Sequence, residues 1–151
     1  ASTFNSEQGI LFLEFAQFAS SPFGTKFLTI SDGSIDNRIA YQLRTNGYKF
    51  NIKTGGVVQS SISLTTNVTD VTKFNKYAVF YRENDVRVYA NGIETDTDKS
   101  TVVMPSGLNE LAFDRGTASQ IAVGRFKDLR YYDTEGMTDT EIDNLLTQLT
   151  Q

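Results

Sequence analysis

Residues 76–98, KYAVFYRENDVRVYANGIETDTD, contain three strand-length runs separated by two short turns. Lys76–Arg82 and Asp85–Ala90 are rich in aromatic and β-branched residues, a composition typical of β-strands. Asn91-Gly92 separates the second run from Ile93–Asp98, and it suits a type I′ turn because both central residues of that turn need positive φ. The stretch therefore predicts three consecutive antiparallel strands.

Runs of the same kind recur along most of the chain, bounded by short clusters of turn residues. The first, Ile10–Phe18, is apolar on both parities apart from Glu14 and Gln17, which predicts a strand covered on both faces. Thr45-Asn46-Gly47 separates two later runs and predicts another hairpin. In all, about ten strands are expected. The remaining runs are Lys26–Ser31, Asn37–Arg44, Tyr48–Lys53, Val57–Leu64, Leu108–Asp114 and Ile121–Asp133.

One helix is predicted near the end of the chain. Thr138-Asp139-Thr140-Glu141 has the pattern of a capping box, in which Thr138 caps the helix and Glu141 reaches back to it. Apolar residues then recur at helical spacing, so the helix should dock on the strands. We therefore predict a single all-β domain over residues 1–151, a two-sheet antiparallel sandwich closed by one short C-terminal helix. The apolar positions are Ile142, Leu145, Leu146 and Leu149.

Composition narrows the possible functions. The 151 residues include no Cys and no His, which excludes thiol nucleophiles, Cys-based zinc sites and the Ser-His-Asp triad, so we predict a protein that is not an enzyme. A formal net charge of −4 argues against nucleic acid as a partner. No apolar run approaches the ~20 residues that span a bilayer, so membrane insertion is not expected. The opening residues 1–5 lack a signal-peptide pattern, and we expect a domain of a longer protein.

Positive charge is concentrated in one part of this acidic chain. Between Asn37 and Thr69 there are four basic residues and no Asp or Glu. Strand alternation places Ile39, Tyr41 and Leu43 on one face of the predicted 37–53 hairpin and the basic residues on the other. This second face suits an anionic or polyhydroxylated ligand such as a glycan, or it is an ordinary solvent-exposed face whose lysines discourage edge pairing. The candidate sugar contacts are Arg38, Gln42, Arg44, Lys49 and Asn51, with Tyr89 of the next hairpin placed to stack on a sugar ring.

Two acidic segments raise the question of a calcium cofactor. The loop 31–37 offers side-chain oxygens from Asp32, Asp36 and Asn37, although Asx-turns explain the same composition without a metal. The acids of residues 94–98 alternate along a strand, and cross-strand partners, Tyr89 for Glu94 and Arg87 for Asp96, explain them more simply than calcium. No cofactor is therefore predicted, with calcium left open at the first loop.

Three segments together carry a family resemblance. The opening 4–9, residues 76–81 and 86–92, and the run 124–132 followed by 137–142 resemble, in this order, the strands and closing helix of concanavalin A-like jelly rolls. The resemblance is to laminin-G-like modules in particular, as found in phage structural and tail proteins. It implies two curved antiparallel sheets that often bind carbohydrate and sometimes calcium, in a superfamily that also includes glycoside hydrolases.

The chain departs from that family at two positions that bear on function. The Trp often found at the start of the central strand is replaced by Phe74 or Tyr77. The hydrolases' Glu-x-Asp-x-x-Glu strand is incomplete, because Val88 follows Glu83 and Asp85 where the third acid belongs. We therefore expect a non-catalytic carbohydrate-binding or adhesion module, part of a phage virion or tail protein, at the virion or outside the cell. The alternative is an architectural virion module whose partners are other virion subunits.

Overall fold

The computed structural model describes residues 4–19, 24–44 and 47–151. The predicted turn at Thr45-Asn46-Gly47 falls largely outside them, because only Gly47 is described. None of the helical segments described is long and apolar enough to cross a membrane. The elements are β1 (Gln8–Ala16), β2 (Lys26–Ser31), β3 (Arg38–Arg44), β4 (Gly47–Thr54), β5 (Val57–Ser63), β6 (Asn75–Arg82), β7 (Asp85–Ala90), β8 (Ile93–Asp98), β9 (Glu110–Ala112), β10 (Arg125–Tyr132) and α1 (Asp139–Thr150).

The ten strands form two antiparallel five-stranded sheets. The first sheet has the order β10-β1-β6-β7-β8 and the second has the order β5-β4-β3-β2-β9. Each sheet turns one face inward, and the inward side chains, among them Leu13, Tyr41 and Val79, form one buried core. A hydrogen bond from Ser60 Oγ to Asp98 Oδ2 (2.6 Å) joins edge strands of the two sheets. The predicted two-sheet sandwich is confirmed.

β1 is covered on both faces, as its sequence predicts. Leu11, Leu13 and Phe15 enter the core between the sheets, whereas Ile10 and Phe12 lie on the opposite face in a second apolar cluster. Helix α1 covers that second cluster. Because β1 is buried on both sides, neither set of alternating side chains faces solvent, and its sequence therefore lacks the usual alternation of polar and apolar residues.

Helix α1 begins at the predicted capping box. Thr138 accepts a hydrogen bond from the backbone N–H of Glu141, and the Glu141 side chain accepts one from the backbone N–H of Thr138. Ile142 and Leu146 are fully buried against the outer face of the first sheet. The apolar stripe therefore fixes the helix over β1, β6 and β7, the docking expected from its spacing.

The predicted turn at Asn91-Gly92 is confirmed, because φ is 49° at Asn91 and 87° at Gly92. The expected pair Arg87–Asp96 is wrong: a register shift between Val88 and Tyr89 places Asp96 opposite Val88 and Thr97 opposite Arg87. Tyr89 does lie opposite Glu94. Near the end of the chain, the predicted strands 108–114 and 121–133 shorten to β9 and β10 because residues 113–124 form a loop.

Candidate functional site

The outward surface of the second sheet carries the basic residues where strand alternation predicts them. We call this surface, formed by Arg38, Gln42, Arg44, Lys49, Asn51 and Lys53, the basic face. The inward residues of the same strands, such as Tyr41 and Phe50, enter the core. Gln42 lies opposite Lys49 across the β3–β4 ladder, and Arg38 lies opposite Lys53. The parity prediction is thus confirmed for the five candidates on β3 and β4.

Several side chains of the basic face are buried although they point away from the core. Arg38, Gln42 and Asn51 are only 4%, 7% and 3% exposed. The guanidinium carbon of Arg38 lies 4.7 Å from the ring centre of Phe27 on the neighbouring strand β2. These three side chains are therefore largely shielded by their neighbours on the face, which is unusual for an arginine.

Arg38 contacts a second arginine from the loop 113–124. Its Nη1 donates a hydrogen bond to the backbone oxygen of Arg115 (2.8 Å). Burial lowers the pKa of Arg38 and the positive charge of Arg115 lowers it further, while the negative charge of Asp36 offsets part of this effect. Among the ion pairs of the described residues, neither arginine has a carboxylate partner, and the nearby Asp36 is 3.5 Å from Lys53 Nζ. The two arginines are therefore close enough for their charges to interact, and neither forms an ion pair among the described residues.

The basic face also collects polar atoms that lack hydrogen-bond partners. In the described part of the chain, seven buried side-chain polar atoms have no partner, and five of them belong to this sheet face or to the loop beside it. Buried polar groups are normally hydrogen-bonded, and water or the polar groups of a ligand can satisfy such a cluster. The five are Thr29 Oγ1, Arg38 Nε, Arg44 Nε, Asn51 Oδ1 and Arg115 Nε.

The sequence pattern does not identify Arg115 as a site residue. It is 77 residues from Arg38 in the chain and lies in an irregular loop, where strand alternation gives no signal. The loop closely approaches the connection between β2 and β3: an added Cβ at Gly116 would lie 2.7 Å from the backbone oxygen of Ser34. A glycine directly after the arginine is the one local feature consistent with this close approach.

Tyr89 does not lie beside the other candidate sugar contacts, which corrects the placement expected for it. It lies on β7 in the first sheet, in the apolar cluster under α1, and is only 6% exposed. Its hydroxyl is 3.3 Å from Glu94 Oε2 and 3.4 Å from Asp143 Oδ1. Alternation predicted which way the side chain points within its hairpin but not which sheet the hairpin joins.

The metal candidates of loop 31–37 are engaged in the loop's own hydrogen bonds. Asp32 Oδ1 accepts from the N–H and the hydroxyl of Ser34, and Asp32 Oδ2 accepts from Asn37 Nδ2 (2.9 Å). Burial raises the pKa of Asp32, but these hydrogen bonds outweigh it, so the pKa lies below its usual value. Asp36 faces Lys53 instead. No group of three or more acidic residues in the described ranges could hold a metal ion.

A cavity in the described part of the chain lies away from the basic face. It has a volume of about 960 Å³ and lies at one end of the sandwich, between the chain segment before β1 and the ends of β6 and β10. Its lining includes Asn5, Arg82 and Tyr131 but no residue of the basic face. Because none of the unpartnered buried polar atoms belongs to its lining, we place the candidate site on the basic face.

Comparison with known proteins identifies the fold. No protein-family model matches the sequence, and no curated protein matches it. Among solved structures, the chain is similar to the CBM40 module of the Ruminococcus gnavus IT-sialidase, with TM-score 0.69, 16% identity, and coverage of 97% of this chain and 84% of that one. It is also similar to the NanB sialidase of Streptococcus pneumoniae, with TM-score 0.70, 15% identity, and 98% of this chain covered.

A leech intramolecular trans-sialidase is similar over 96% of this chain, with TM-score 0.65 and 17% identity. The chain spans about a quarter of the two complete sialidases, 25% and 23% of their lengths, but most of the isolated module. These likenesses show the fold, and the predicted all-β jelly-roll sandwich is confirmed.

Proposed function

We propose that this chain is a non-catalytic carbohydrate-binding module whose ligand is an acidic sugar held at Arg38 and Arg115. One observation carries the proposal: two adjacent arginines with unpartnered Nε groups and no paired carboxylate among the described residues. Guanidinium groups pair with carboxylates through charge-assisted, often bidentate hydrogen bonds. A sugar carboxylate supplies the missing anion, and sugar hydroxyls supply partners for atoms such as Asn51 Oδ1.

The structural neighbours support an acidic sugar. Structures of the R. gnavus CBM40 module are described as bound to α2,3- and to α2,6-sialyllactose. Sialyllactose contains one carboxylate, whereas lactose contains none, so the two compounds separate recognition of the charge from recognition of hydroxyls. At 15% identity the likeness transfers no residue roles, and the arginine pair of this chain supports the proposal independently.

Calorimetric titration with sialyllactose and lactose tests the proposal. The protein should bind sialyllactose and bind lactose at least about tenfold more weakly, since only the first offers a charge-assisted partner. Arg38→Gln and Arg115→Gln should each weaken sialyllactose binding by about tenfold or more. Arg130→Gln is the matched control, because Arg130 is an exposed arginine on the first sheet. Equal affinity for the two sugars would contradict the proposal.

A second candidate function, assembly with other protein subunits, is favoured by one surface. Among the described strands, edge strand β5 pairs only with β4. It contains no charged residue, and its Val57 and Val58 are 61% and 55% exposed. An uncharged apolar edge can pair with another chain. Sedimentation velocity over a concentration series tests this function, and a protein that stays monomeric would exclude self-assembly through β5. The virion setting expected from the family resemblance remains a prediction.

A further inference from the structure

We propose that the basic face binds an extended glycan with acidic groups at intervals, lying along β3 from Arg38 to Arg44. This inference rests on the proposed function, because it concerns the ligand of the same face. It differs in the substrate class: a chain of several charged sugar units, rather than one terminal acidic sugar bound at the arginine pair.

The two arginines of β3 lie far apart on the basic face. Arg38 and Arg44 lie on the same face at the two ends of the strand, six residues apart. At the rise of an extended strand this separation is about 20 Å, the length of several sugar units. Both side chains have a buried Nε without a partner. One small acidic sugar bound at Arg38 would supply no hydrogen-bond partner for Arg44 Nε.

A polar surface lies between these two ends of β3. Gln42 lies opposite Lys49, and Asn51 lies opposite Ala40, so a line of amide and ammonium groups joins the two arginines. Gln42 Oε1 accepts a hydrogen bond from Arg44 Nη2 (2.9 Å), which holds Arg44 against the face. Asn51 Nδ2 donates to the backbone oxygen of Ser60, whereas its buried Oδ1 has no partner. A sugar hydroxyl can donate to that oxygen.

The positive charge of the basic face is divided between its two ends. Residues 37–69 contain no acid, and among the described ion pairs neither Arg44 nor Lys49 has a carboxylate partner. The arginine pair at one end and Arg44 with Lys49 at the other therefore form two separate cationic ends of one face. A ligand matches both ends only if it carries acidic groups at some distance from each other.

Titration with galacturonate oligomers of increasing length tests the inference, with sialyllactose as the single-charge reference. Affinity should rise by about tenfold or more from the monomer to the hexamer, because the second cationic end is then engaged. Arg44→Gln should remove most of this gain. Arg38→Gln should weaken every oligomer, and Arg44→Lys, which retains the charge, should retain most of the gain.

Two outcomes would overturn the inference while leaving the proposed function intact. One is sialyllactose binding together with equal affinity for galacturonate monomer and hexamer. The other is an Arg44→Gln variant that keeps the full length dependence. If no acidic saccharide binds at any length, the proposed function fails as well, so the two failures are distinguishable. Circular dichroism of each variant establishes that it is folded before titration.

Discussion

The sharpest stability prediction concerns Arg87, which joins strand β7 to helix α1. Its side chain is 7% exposed and makes a bidentate pair with Asp85, through Nε to Oδ1 at 3.0 Å and Nη2 to Oδ2 at 2.6 Å. Nη1 also lies 2.9 Å from Asp143 Oδ1 on the helix. The hydrogen bonds that Arg87 donates to Asp85, and those it donates to Asp143, raise the pKa of Arg87 above its usual value, so the guanidinium stays charged.

The expected loss of stability when Arg87 is replaced depends on which of its carboxylate partners are buried. Asp85 is 11% exposed, whereas Asp143 is 46% exposed and can be rehydrated when Arg87 is removed. Arg87→Met therefore leaves the buried Asp85 carboxylate with one ion-pair partner among the described residues, Arg82 at 2.8 Å. Breaking a buried pair from one side costs ~3 kcal/mol or more. Against a total stability of about 5–15 kcal/mol, such a loss moves the unfolding midpoint substantially.

The assay is urea unfolding followed by circular dichroism and by tyrosine fluorescence, since the chain has seven Tyr and no Trp. Arg130→Met is the control: Arg130 Nη2 lies 2.6 Å from Asp128 Oδ2, the same distance as in the Arg87 pair, but the arginine is 55% exposed. It should leave the midpoint unchanged within error. Adding Asp85→Leu to Arg87→Met should recover much of the loss, because no charge is then stranded. Equal effects of Arg87→Met and Arg130→Met would refute this reasoning.

Three further predictions concern packing and pH. Leu146→Ala should lower the free energy of unfolding by ~2–5 kcal/mol in urea titration, because this side chain of α1 is fully buried against the first sheet; an unchanged midpoint would mean that the helix does not dock as described. Gly124→Ala should cost ~1–3 kcal/mol by the same assay, since its Cβ would lie 2.2 Å from Phe15 Cε2 and 2.9 Å from the backbone oxygen of Ala16; a neutral effect would require the loop to shift. Hydrogen bonds from Ser100 and then Ser60 lower the pKa of Asp98 below 3.8, so its contribution is present above that value and is lost as the pH falls through the folded-state pKa. Asp98→Asn should therefore flatten the fall in unfolding midpoint between about pH 5 and about pH 2, and an unaltered slope would contradict the assignment.

Local signals account for most of the fold. The bounds of β7 and β8 and the cap of α1 agree with the sequence pattern because turn chemistry and capping act over a few residues. The same local rule placed the side chains of β3 on the correct faces. What failed was non-local: the register shift at Val88, the assignment of Tyr89 to the helix-covered sheet, and the arrival of Arg115 beside Arg38.

These failures share a physical cause. Alternation describes one strand and says nothing about which sheet or loop will lie against it. Arg115 in particular occupies an irregular loop whose position is set by tertiary packing around Gly116. The candidate site could therefore be predicted from the sequence as a basic strand face, but its arginine pair could not.

The most direct test of the proposed site is a nuclear magnetic resonance titration of the isotope-labelled protein with α2,3-sialyllactose. Chemical-shift changes should concentrate at Arg38, Arg115 and their neighbours on the basic face, including the Nε resonances of the two arginines. The side of the first sheet covered by α1 should be unaffected. Shift changes centred instead on the cavity around Arg82 and Tyr131, or no saturable changes, would contradict a glycan site on this face.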